Sequence, residues 1–116
     1  MKKILFVLTA FAIGFSSCGS AADLIVGTIS CKEWVADRTM EINDLNKSVD
    51  QSWVMGFLSA YGETTRTNLV ANVNPQSIFS WMDKYCASHP MKKIDDAVLV
   101  LAHELKRQLD SKSPPK

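Results

Sequence analysis

The chain is poor in the residues that most often carry chemistry. Its 116 residues hold 5 glycines, 3 cysteines and 2 histidines. No glycine-rich loop is present to cradle a phosphate, and no GxSxG elbow presents a nucleophile. Zinc needs three or four ligands at set spacing, and His89 and His103 do not provide them. His103-Glu104 lacks the second histidine of an HExxH helix, and Cys86 with His89 is a single pair. Asp95-Asp96 reads as a helix-dipole partner before it reads as catalytic acids. No sign of charge dominates, with 13 Lys and Arg against 12 Asp and Glu, so no basic stripe supports nucleic-acid binding. The longest apolar run, ILFVLTAFAIGF from Ile4, has twelve residues, short of the ~18 that a membrane span needs. The expectation is a protein with no catalytic, cofactor or metal site.

What is present begins with Met1-Lys2-Lys3, that apolar run, and the small residues SSCGSAAD. This is the layout of a secretory signal peptide, with the cut expected after Ala22. Phe15-Ser16-Ser17-Cys18 also loosely resembles a bacterial lipobox, although Leu is the usual residue where Phe15 stands. On that route Cys18 would carry a lipid anchor. Either route leaves Cys31 and Cys86, and two cysteines in an oxidising compartment imply one disulfide. The two are 55 residues apart, a loop worth about 4 kcal/mol in the chain-entropy account. A paired Cys86 also removes the free thiolate that a Cys–His hydrolase requires. Residues 23–110 are expected to form one helical domain, and SKSPPK, residues 111–116, a disordered tail.

Periodicity predicts an all-α fold, a small four-helix orthogonal bundle stapled by the disulfide. Ser30-Cys31-Lys32-Glu33 is a capping box that opens the first helix. Ser48-Val49-Asp50-Gln51 is another, predicting a helix to about Tyr61 with Gly62 as its stop. Val49, Trp53, Phe57 and Tyr61 form a large ridge on that helix. Ser52, Gly56 and Ala60 form a small-residue track where the third helix is expected to lie. The third helix has Asn74 as N-cap, Pro75 at its first position and Pro90 as its stop. Ile78, Trp81, Met82, Tyr85 and Cys86 share its apolar face. The fourth, about Ile94 to Asp110, buries Ile94, Ala97, Val98, Leu101, Leu105 and Leu109. Its extra apolar residues Leu99 and Val100 widen that stripe, and exposed apolar patches mark partner sites. Binding residues concentrate in loops, which draws attention to the connection ETTRTNLVANV, residues 63–73. The candidate partner contacts are Trp53, Tyr61, Arg66, Asn68, Leu99 and Val100.

Taken together, SCKEW, SWVMGFLSAYG, IFSWMDKYCASHP and DDAVLVLAHEL resemble the small exported all-helical proteins of Gram-negative bacteria that include the Rap/Tai-type immunity proteins of type VI secretion. Gly56-Phe57-Leu58-Ser59-Ala60 and the His89-Pro90 helix end carry that likeness. Cys31-Lys32-Glu33-Trp34, joined to a later cysteine, more distantly resembles the HdeA/HdeB acid-stress chaperones. The second cysteine pair of the immunity group is absent, and the termini are less charged than in the chaperones. The first resemblance implies a periplasmic, non-enzymatic protein that binds a cognate effector, as monomer or homodimer. The second implies a chaperone that binds unfolded clients at low pH.

Overall fold

A computed structural model describes residues 28–41 and 44–113. The expected signal peptide, the lipid-anchor candidate Cys18 and the last three residues lie outside them. Four helices follow in order: α1 (Cys31–Thr39), α2 (Asp44–Thr65), α3 (Pro75–Ser88) and α4 (Ile94–Lys112). No helix among the described residues is long and apolar enough to cross a membrane.

The capping box at Ser30 forms as its sequence predicts. Ser30 Oγ accepts from the Glu33 N–H at 3.2 Å, and Glu33 Oε2 accepts from the Ser30 N–H at 2.8 Å. The Glu33 carboxyl is held below the usual carboxylate range by its bonds to the Ser30 side chain and backbone. α1 has only nine residues, too few to stand alone in water. Three ties hold it. The Cys31–Cys86 disulfide joins it to the end of α3, with a Cα–Cα distance of 4.7 Å. An isolated bridge pairs Ser30 with Lys93. Through it the Cys31 N–H donates to the Lys92 carbonyl at 2.8 Å, and the Ile94 N–H to the Ile29 carbonyl at 3.0 Å, so α1 and α4 start side by side. The third tie is a polar clamp to α3. Trp34 is fully buried, and its Nε1–H donates to Asp83 Oδ1 at 2.8 Å. The Arg38 guanidinium grips the same carboxylate with two bonds, of 2.9 and 2.8 Å. That hydrogen bond raises the Arg38 pKa above its ordinary value.

α2 departs from its sequence prediction at both ends. It starts at Asp44, a turn before the expected Ser48 cap, and Ser48 lies inside it. It runs past Gly62 to Thr65, and Arg66 takes the left-handed conformation with φ 52°. The Thr67 N–H then donates to the Gly62 carbonyl at 2.8 Å and the Arg66 N–H to the Glu63 carbonyl at 3.2 Å, a Schellman stop. Gly62 serves close approach instead: a Cβ there would lie 2.5 Å from the Thr67 carbonyl oxygen.

The buried face of α2 is also one position away from the expected ridge. Asp50, Val54, Leu58 and Gly62 are buried, whereas Trp53, Phe57 and Tyr61 only flank the core and Val49 is exposed. The Ser52, Gly56, Ala60 track faces outward, and a Cβ on Gly56 would meet nothing within 4 Å. α3 therefore does not lie on that track; it packs chiefly on α1 and α4.

α3 has the predicted boundaries, with the Asn74 side chain accepting from the Gln76 N–H at 2.9 Å. It buries Ile78, Phe79, Met82 and Cys86, while Trp81 and Tyr85 remain half-buried. α4 buries Ile94, Ala97, Val98, Leu101, Ala102 and Leu105 and carries on to Lys112, two residues into the expected tail.

Candidate interaction surface

Residues four apart on a helix stack over one another. Trp53, Phe57 and Tyr61 therefore make a column along α2, with ring centroids 5.6 Å apart for the first pair and 6.4 Å for the second. The column crosses to α4 at its end, where Tyr61 meets the His103 ring at 5.8 Å. His103 shares the outer face of α4 with Leu99 and Val100 by its three- and four-residue spacing. Those two are 40% and 46% exposed. Four of the six sequence candidates, Trp53, Tyr61, Leu99 and Val100, thus border one surface where α2 and α4 meet.

The other two, Arg66 and Asn68, sit beyond the end of α2. They line a cavity of about 480 Å³ with Ser59, Glu63, Thr67 and Val70. Leu58, Gly62 and Leu69 complete the wall of this cavity, at the C-terminal end of α2. The Arg66 side chain makes no hydrogen bond or ion pair among the described residues.

A second aromatic column was not among the sequence candidates. Trp81, Tyr85 and His89 stack along α3, with centroids 5.2 Å and then 4.2 Å apart. His89 Nδ1–H donates to the Tyr85 carbonyl at 2.8 Å, which fixes the ring against its neighbour. Four-residue spacing was its available signal. The same spacing was read as core because a helical pattern does not tell a half-buried side from a buried one.

Among the described residues, one carboxyl side chain is buried. Asp50 is 8% exposed, and its Oδ2 has no hydrogen-bond partner. Burial raises its pKa from 3.8 to about 6, and the charge of Asp37, a hydrogen bond with Asp37, and the charge of Glu33 add to the rise. No group of three or more His, Cys, Asp or Glu among the described residues is placed to hold a metal ion.

No known family matches the chain, and neither does any curated protein or solved structure. The functional reading therefore rests on the residues themselves.

Proposed function

We propose that this chain is an exported, non-enzymatic protein that binds one protein partner through the α2/α4 surface. The observation that carries this reading is the joining of a half-exposed aromatic column, Trp53–Phe57–Tyr61–His103, to the exposed Leu99 and Val100. Aromatic anchors beside aliphatic residues are the usual centre of a protein interface. Arg66 and Asn68, in the cavity beyond the end of α2, are the polar candidates for its rim. Within this reading, an immunity- or inhibitor-like role against a cognate effector in the periplasm is the specific form we favour.

The acid-chaperone alternative needs a fold that opens as carboxylates take up protons. Its support is weaker, because Asp50 has the opposite sign: its raised pKa means that protonation stabilises the contact between α1 and α2.

The test is capture from periplasmic extract by the purified mature protein. One partner is expected to be retained in a one-to-one complex. Val100→Asp and Trp53→Ala, both at incompletely buried positions, should each weaken binding by tenfold or more, roughly the loss expected for a hot-spot residue. Unchanged capture by both variants would overturn the surface assignment. Suppression of client aggregation at about pH 3 without any specific partner would favour the chaperone instead.

A further inference from the structure

Two Glu–Arg pairs in this protein share one spacing, and only one of them closes. On α4, Glu104 and Arg107 are three residues apart and form an ion pair at 3.0 Å. Opposite charges at that spacing are neighbours on a helix surface. Glu63 and Arg66 have the same spacing at the end of α2. Their side chains pair neither with each other nor with any other described residue. The backbone supplies the reason. Arg66 has left the helix at φ 52°, so the helical register between the two is broken.

Both residues line the cavity of about 480 Å³ beyond the end of α2. That volume falls within the roughly 300–1,000 Å³ of small-molecule sites. Asn68 lines it too, and its side-chain amide has no partner among the described residues. The apolar wall is Leu58, Leu69 and Val70, of which the first two are buried. The hydroxyls in the wall are already used. Ser59 Oγ donates to the Met55 carbonyl at 2.8 Å, and Thr67 Oγ1 to the Thr65 carbonyl at 3.0 Å. One anion, one cation and one amide thus stand unpaired around an apolar wall. Glycine would stop the helix at Arg66 with less strain, and strain of this kind points to a use for the side chain.

We propose that this cavity binds a small zwitterion, an α-amino acid with an aliphatic side chain. The Arg66 guanidinium takes the carboxylate in its planar fork, with the Asn68 amide as a further donor. The Glu63 carboxylate takes the ammonium. Leu58, Leu69 and Val70 take the aliphatic side chain. A ligand with a carboxylate alone would meet Glu63 unpaired, and one with an ammonium alone would meet Arg66 unpaired, so discrimination comes from mismatched charge as well as from attraction. The proposal does not depend on which partner occupies the α2/α4 surface.

The test is titration of the mature, disulfide-bonded protein with L-leucine to about 10 mM, followed by the NMR shifts of residues 58–70. Saturable shifts are expected. N-acetyl-leucine lacks the ammonium and leucinamide lacks the carboxylate, and each should bind about tenfold or more weakly. Glu63→Gln should bring leucine and N-acetyl-leucine to similar affinity. Arg66→Gly removes the strain together with the side chain. Its Tm should rise by about 2–6 °C while the leucine shifts are lost, which separates a lost site from a lost fold. No saturable shift with leucine, either analogue binding as well as leucine, or undiminished leucine binding by Arg66→Gly would overturn the site.

Discussion

A methyl group added to α2 has opposite consequences at its two interior glycines. At Gly62 it would stand 2.5 Å from the Thr67 carbonyl oxygen, a backbone atom that cannot swing aside; at Gly56 it would touch nothing within 4 Å. Gly62→Ala is expected to lower stability by about 1–3 kcal/mol, the range for overpacking. Gly56→Ala should raise it by ~0.5–1 kcal/mol, because glycine costs more chain entropy in a helix. Urea unfolding midpoints check both, and a shift of the same sign in the two variants would refute the packing argument. Arg66 adds a third backbone case. A non-glycine residue at φ 52° stops α2 where glycine would do so with less strain. Arg66, which lines the cavity, is therefore held there at some cost to stability.

Among the elements, α1 depends most on its neighbours. Its clamp to α3 places one carboxylate, Asp83, between a buried indole N–H and a guanidinium fork. Asp83→Ala leaves both donors unsatisfied and is expected to cost about 1–3 kcal/mol. Because Arg38 and Asp83 share one interaction, the double variant with Arg38→Ala should cost clearly less than the sum of the single ones. Additive losses in chemical unfolding would show that the contact contributes nothing. The elements also differ in how legible they were. The ends of α3 could be read because Asn74, Pro75 and Pro90 act on their nearest backbone groups, a local effect. The ends of α2 could not. Ser48 has the chemistry of a cap, but the helix continues through it from Asp44, and Gly62 is demanded by the returning Thr67 backbone, which no local pattern announces. The candidate surface was half legible. Trp53, Tyr61, Leu99 and Val100 stood out as more apolar surface than one buried stripe could use. The Trp81–Tyr85–His89 column was missed because its spacing equals that of a core face.

At the scale of the whole molecule, the disulfide, the Ser30–Lys93 bridge and the clamp gather the start of α1, the end of α3 and the start of α4 at one corner. The disulfide closes a separation of 55 residues, and its loss is expected to remove about 4 kcal/mol. A small domain has only ~5–10 kcal/mol in all. Reduction should therefore shift the urea midpoint far down, with α1, the shortest helix, loosening first and Trp34 reporting it by fluorescence. An unchanged midpoint after full reduction would mean that the packing at this corner suffices alone.

Four helices, their caps at Ser30 and Asn74, and a cysteine pair able to staple them were determined by the sequence by itself. Each depends on interactions within a few residues, or on there being few cysteines to pair. Which side of α2 faces inward was decided only in the tertiary structure. Apolar side chains occupy more than one side of that helix, and packing against α1 and α4 chose the Val54–Leu58 line over the aromatic one. The same choice sealed Asp50 inside beside Asp37 and left the rings of Trp53, Phe57 and Tyr61 half in water. Burial is a property of what lies opposite a residue, and that neighbour is distant along the chain.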